Sequence, residues 1–289
     1  MTPSHILPAI SNSLGHILAA AVERLAAAHV GSPRMNAEVL LMFTLGCDRA
    51  YLYAHPEREL TSAEIERYNE AVARRAMGVP SQYITGHQEF WGMDFILSPA
   101  VLIPRPETEH VIEAVLPLAR TMPAPCIVDV GAGSGAIALA LAMELPQAEV
   151  HATEISAPAL EIARANAARH QLEHRVHFHH ADLLDGLLKG SFDFVVSNPP
   201  YVGESEEEQV WLEVRKFEPR SAVFAGHDGL DVIRRLVPQA HLALKPGGWL
   251  MMEISGTIAE GVQGLLAGWN DIEISNDLQG IPRVLKARR

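Results

Sequence analysis

Between residues 126 and 254, short apolar runs alternate with segments of helical period, and this alternation restricts the fold more than any other feature of the chain. The runs are Cys126–Val130, Glu149–Thr153, Arg175–Phe178, Phe192–Ser197 and Gly248–Ile254. Helices are predicted near Ala136–Glu144, Pro158–Arg169, Leu230–Leu244 and Ile258–Leu266. Short apolar runs bounded by turn residues and separated by helices are the βαβ pattern of a parallel sheet with helices on both faces. Lys245-Pro246-Gly247-Gly248 reads as a turn feeding the last of these strands, and Asp271–Ile274 with Arg283–Lys286 predicts an antiparallel edge.

The preceding residues follow another pattern. From Ile10 to about Gly78 the period is helical, with Leu14, Ile17, Leu18, Ala21, Val22 and Leu25 on one face. Gly31-Ser32-Pro33 breaks it, a second helix runs through Ala37, Leu40 and Leu41 to Gly46, and Thr61 or Ser62 caps a third. Aromatic and β-branched residues around glycines in Gln82–Phe95 predict a β-hairpin. Pro106, Glu107 and Glu109 suit a helix start. The expected organisation is a helical domain over 1–80 serving recognition or support, a hairpin linker over 81–100 and an α/β domain over 101–289.

Composition narrows the function. A formal net charge of −12 over 289 residues argues against a partner held through its phosphate backbone, since such binding needs lysine and arginine to displace counterions. Arg74-Arg75, Arg234-Arg235 and the tail Lys286–Arg289 read as solvated surface. Met1–His5 lacks the basic start of a secretory leader, no apolar run reaches membrane length, and the two cysteines, Cys47 and Cys126, do not make a disulfide framework. The expectation is a cytoplasmic protein with neither membrane nor direct nucleic-acid contact.

Ile127–Ala136 reads as strand, glycine loop and helix start. Glycines let backbone approach a ligand closely and leave helix N–H groups facing it. Glu154, at the end of the next strand, can accept from both hydroxyls of a ribose. Gly131, Gly133 and Ala136 also satisfy the looser dinucleotide fingerprint. Three features favour S-adenosylmethionine over NAD: the Gly-x-Gly-x-Gly form completed by Gly135, Asp129 before the loop, suited to an ammonium rather than a pyrophosphate, and Asn-Pro-Pro-Tyr after strand four. Asp182 could cap an adenine amine, although a helix N-cap is the commoner use of such a residue.

Asn198-Pro199-Pro200-Tyr201 leaves the sheet as a stiff segment rich in carbonyls and poor in donors. The Asn198 oxygen and the Pro199 carbonyl could together accept two N–H bonds from an amide or exocyclic amine, with Tyr201 as a flat wall. A plain strand-to-loop turn is the alternative for this segment taken alone.

These residues, taken in order, resemble the release-factor glutamine N5-methyltransferases. The likeness covers nearly the whole chain: Ser32–Glu38 in the helical domain, Gln82–Gly86 at the hairpin, Leu102–Glu109, Asp129–Gly135 and Ser197–Tyr201. It implies a Rossmann-like class I methyltransferase domain with a mainly parallel sheet, and a monomer acting on class I peptide chain release factors. S-adenosylmethionine would be the methyl donor and S-adenosylhomocysteine the product. Cofactor contacts are implied at Asp129, Gly131, Ala132, Gly133, Ser134, Gly135, Glu154, Asp182, Leu183 and Asn198; substrate and catalytic contacts at Asn198, Pro199, Pro200 and Tyr201. Phe90 and the Pro106–Thr108 turn would close over the cofactor. Glu253-Ile254-Ser255-Gly256 departs from the family's usual glycine after the glutamate, which bears on the substrate wall rather than on the chemistry.

Other candidates read more plainly. His177 and His179 share a strand face, but no thiolate or paired carboxylate stands near them along the chain, so no metal is expected. Glu204–Glu208 is a solvated loop or a substrate lid, and Arg105 pairs with an acidic neighbour. The rival functions are an adenine N6-methyltransferase of DNA, which shares Asn-Pro-Pro-Tyr, a dehydrogenase on the glycine loop alone, and an idle nucleoside-binding module.

Overall fold

In the computed structural model, residues 11–289 are described. Met1–His5 and the expected helix start at Ile10 lie outside them. The chain divides into two compact units that meet in sequence at Thr85 and Gly86.

The first unit comprises α1 (Leu14–Ala27), α2 (Pro33–Leu45), α3 (Arg49–Ala54), α4 (Ser62–Ala76) and α5 (Ser81–Thr85). Thr61 caps α4 through a reciprocal capping box with Glu64. Leu14, Leu25, Leu40, Leu41 and Val72 form the core. Polar residues from the Ser32–Glu38 motif are used internally. Asn36 donates to the Gly31 and Ser32 carbonyls and accepts from Arg75 over 2.7 Å; Glu38 takes Arg34 and the Tyr53 hydroxyl. Arg75, expected on the surface, is therefore buried, because its partner lies on another helix.

The second unit begins with the hairpin β1 (His87–Phe90) and β2 (Met93–Ile96). The hairpin is shorter than expected: Gln82–Thr85 belongs to α5, whose first turn begins at Pro80. A short 3₁₀ turn, Pro106–Thr108, leads into α6 (Glu109–Ala119). Then come β3 (Cys126–Val130), α7 (Ala136–Glu144), β4 (Glu149–Glu154), α8 (Ala157–Arg169), β5 (Val176–His180) and β6 (Phe192–Ser197). Short helices α9 (Leu212–Phe217) and α10 (Arg220–Val223) were not anticipated, and Glu204–Gln209 is a 3₁₀ segment rather than open loop. The chain ends with α11 (Asp231–Ala243), β7 (Leu244–Glu253), α12 (Ala259–Gly264), β8 (Asn270–Asn276) and β9 (Pro282–Arg288).

The seven-stranded sheet runs β5-β4-β3-β6-β7-β9-β8. Pairs from β5 to β7 are parallel and the last two antiparallel. The predicted turn at Lys245–Gly248 lies inside β7, because the carboxyl terminus pairs there: the Gly247 N–H donates to the Arg289 carbonyl and the Arg289 N–H to that of Gly248. The expected tail Lys286–Arg289 is consequently strand, with Lys286 paired to Glu273.

Strand order reverses at β3, which has β4 on one side and β6 on the other. Val130 and Ser197 are register partners at the carboxyl ends of β3 and β6, and the Ser197 hydroxyl donates to the Val130 carbonyl over 2.7 Å. Open α/β sheets form their ligand crevice at such a reversal. Gly131 and Asn198 are the next residues out of the sheet.

Candidate functional site

At that crevice a cavity of about 380 Å³ is lined by Gly131 to Ser134, Glu154, Asp182, Leu183, Asn198 and Pro200. A Cβ placed at Gly133, where φ is +57°, would meet no protein atom within 4 Å, so the loop presents bare backbone to open space. Gly135 has another use. Its φ is +83°, and an added Cβ would come within 3.3 Å of the Ala163 Cβ on α8, so this third glycine serves helix packing. It does not line the cavity.

Glu154 ends β4 and is buried. Its Oε2 accepts from the Gly133 N–H and its Oε1 from the Ser156 N–H, each over 2.8 Å. The carboxylate is thereby fixed in orientation, and each oxygen keeps acceptor capacity for a further donor. Asp182 is in a turn that no helix follows, so the N-cap role does not arise. Instead it pairs with Arg235 over 2.6 Å, and both line the cavity. Arg235 is exposed, as sequence reading placed it; its pairing with Asp182, on another element, gave no local signal.

Asp129 stands behind the loop rather than on the cavity wall. Its Oδ2 accepts from the Ala138 N–H over 3.1 Å, while its buried Oδ1 has no partner among the described residues. Burial, opposed by that hydrogen bond, pushes its carboxyl up to about 7. Phe90, expected over the cofactor, is instead core: it meets the Phe95 ring edge-on at 6.1 Å. Thr108 does line the cavity, together with Leu102 and Pro104 of the same motif and with Ala100, which sequence reading did not single out.

Pro199 and Tyr201 line a neighbouring pocket of about 160 Å³, which shares Asn198 and Pro200 with the first and includes Glu253. Here the amide of Asn198 is tied into a chain. Its Nδ2 donates to the Thr108 hydroxyl oxygen over 2.9 Å, and that hydroxyl donates to Glu253 Oε2 over 2.6 Å. The Tyr201 hydroxyl donates to Glu253 Oε1 over 2.9 Å. Burial pushes the Glu253 carboxyl up, opposed by these hydroxyl bonds and by the charge of Arg283, and burial likewise raises the Tyr201 phenol. Since the Thr108 proton goes to the carboxylate, its oxygen can only accept from Asn198. The amide nitrogen is thus committed, and the Asn198 oxygen is left to accept. Arg105 pairs with buried Glu218 over 2.5 Å.

Comparison with known proteins adds the family. The sequence pattern of the PrmC N-terminal domain matches residues 16–86, and that of the methyltransferase small domain residues 113–216. A release factor glutamine methyltransferase of Koribacter versatilis is 55% identical over 270 residues, 93% of this chain and 96% of its own. Another, of Geobacter sulfurreducens, is 43% identical over 261 residues, 90% of each chain. Among solved structures, the hMettl16 catalytic domain in complex with MAT2A 3'UTR hairpin 6 superposes with a TM-score of 0.56 at 17% identity, over 75% of this chain and 81% of that one. The T. thermophilus 16S rRNA methyltransferase RsmC, in complex with AdoMet and guanosine, gives 0.53 at 20% identity over 70% and 49%. These two likenesses concern the fold, the class I methyltransferase architecture. Relatives of such identity along nearly the whole length settle the matter of descent: the chain belongs to the release factor glutamine methyltransferase family.

Proposed function

We propose that this protein methylates the side-chain amide nitrogen, N5, of the glutamine in the Gly-Gly-Gln loop of class I peptide chain release factors, acting as a monomer in the cytoplasm. The observation that carries the reading is the polarity of the Asn198 amide: its nitrogen is taken by Thr108, and its oxygen has no partner among the described residues. The helical domain over 1–80 would recognise the substrate protein, and residues 81–100 would link it to the catalytic domain over 101–289.

The residues present fit S-adenosylmethionine. Bare glycine backbone, a ribose-type carboxylate at Glu154 and the Asp182-Leu183 turn surround one cavity, and the unpartnered Asp129 Oδ1 is an acceptor of the kind an ammonium requires. When bound, this group supplies an electrophilic methyl on a sulfonium. The chain's own task is to make a poor nucleophile competent, because an amide lone pair is delocalised into its carbonyl. Asn198 Oδ1 and the Pro199 carbonyl accept the two amide N–H bonds, which orients the nitrogen and stabilises the positive charge that grows on it. Pro200 and Tyr201 bound the pocket. No strong base is needed: the N-methylated amide loses its extra proton to water.

Labelled S-adenosylmethionine supplied with purified release factor, its loop Gln→Ala variant and duplex DNA tests this directly. Label is expected on the unmodified release factor alone. Equal labelling of the Gln→Ala variant, or labelling of the DNA, would overturn the reading.

A further inference from the structure

His177 and His179 lack a nearby thiol or carboxylate along the sequence, but the sheet brings both to His151 on β4, the neighbour of His179. Cys126 opens β3 in register with Glu149 on β4, and His151 follows Glu149 by two residues, on the same face. The Cys126 Sγ, a Glu149 carboxylate oxygen and a His151 ring nitrogen all lie within 4.8 Å of one another. Both His151 nitrogens are engaged: Nε2 is 3.1 Å from Glu149 Oε1, and Nδ1 is 3.0 Å from His179 Nε2. The two imidazoles stack at 5.3 Å with their planes 14° apart, and Phe192 meets His151 edge-on.

We propose that Cys126, Glu149 and His151 form a binding site for a thiophilic divalent cation, of which zinc best matches the donors, at the amino-terminal ends of β3 and β4. Thiolate, imidazole and carboxylate together are a zinc set, and three protein ligands leave the fourth tetrahedral position to water. His151 binds through Nε2 and keeps its proton on Nδ1, which donates to His179 Nε2. Metal-bound imidazoles are characteristically oriented by such an outer acceptor. The Cys126 thiol releases its proton to solvent as the metal–sulfur bond forms. The strand start is already held, since the Cys126 N–H donates to Asp193 Oδ2 over 2.9 Å and Lys245 pairs with the same oxygen. Gly131 and Glu154 lie at the opposite, carboxyl ends of these strands, so the cation joins β3 to β4 without entering the methyl-transfer site.

The test uses the full chain, stripped with chelator and titrated with Co²⁺ as a spectroscopic probe. A thiolate-to-cobalt charge-transfer band is expected in wild type and in Cys47→Ser, bleached by added Zn²⁺ and absent in Cys126→Ser. His151→Ala should weaken affinity at least as much as His179→Ala, whose loss is roughly tenfold. Cofactor affinity, unchanged in each variant, reports intact folding. No band in wild type, or a band that survives Cys126→Ser, overturns the proposal. So does equal Co²⁺ affinity in a folded His151→Ala.

Discussion

Asn198 donates through Nδ2 to the hydroxyl oxygen of Thr108 over 2.9 Å, and that single bond decides which pole of the amide is available. Without it a carboxamide can turn over and present a donor where an acceptor is needed.

Thr108→Val should therefore lower kcat on the order of 10²-fold, the range for loss of one preorganised hydrogen-bonding partner, with S-adenosylmethionine affinity nearly unchanged. Thr108→Ser keeps the hydroxyl and should restore turnover. Steady-state kinetics beside cofactor calorimetry would show it; a Val variant that turns over normally would remove the role.

Asn198→Ala deletes the acceptor itself. A loss of about 10²–10³ in kcat is expected, and the cofactor should still bind, because the glycine loop and Glu154 are untouched. Single-turnover methylation of release factor measures this.

Glu253 predicts a pH dependence. Its carboxyl is pushed up by burial, and the relay needs it ionised to accept the Thr108 proton. Protonated, it can donate to Thr108, which then donates to the Asn198 oxygen and reverses the chain. Turnover should fall as pH drops through this raised value. Glu253→Gln should flatten that limb of the kcat profile, and an unchanged limb in the variant would contradict the argument.

Asp129 separates stability from binding. With its carboxyl pushed up to about 7, the stability that its neutral form contributes is fully present below the ordinary carboxylate range. It is lost as pH rises through about 7, where the buried group ionises. Asp129→Asn should therefore raise the melting temperature more at about pH 8 than at about pH 5. The same variant should weaken S-adenosylmethionine roughly tenfold or more, ~1.4 kcal/mol. Thermal melts and calorimetry at both pH values check the two signs.

The second and third glycines of the loop, Gly133 and Gly135, predict a contrast. Alanine at either forces a left-handed backbone on a residue with a Cβ, about 1–2 kcal/mol. At Gly135 the Cβ also crowds Ala163 and Leu139, so stability should suffer most. At Gly133 it projects into open space, so cofactor affinity should suffer instead.

Periodicity carried most of this fold into view, because strands and helices of the α/β unit alternate in sequence as they do in space. The glycine loop, Glu154 and Asn198 were legible for the same reason: each sits at a strand end that the pattern locates. Thr108 was noticed only as a turn, since its partner Glu253 is 145 residues away. Arg75 read as surface because its partner, Asn36, stands on another element; Arg235 is exposed as read, and only its pairing with Asp182 gave no signal. Phe90 was assigned to the site on likeness alone, and packing against Phe95 claimed it. Gln82–Thr85 carries β-type residues, yet the turn beginning at Pro80 wins locally.

Asn166, wholly buried on α8, grips both Ile96 of the hairpin and the Ser134 carbonyl of the glycine loop. Two segments distant in the chain are thus fastened by one carboxamide. Fraying of the hairpin would strip the loop of its anchor, so their amide protons should exchange with solvent in concert, as one melting unit.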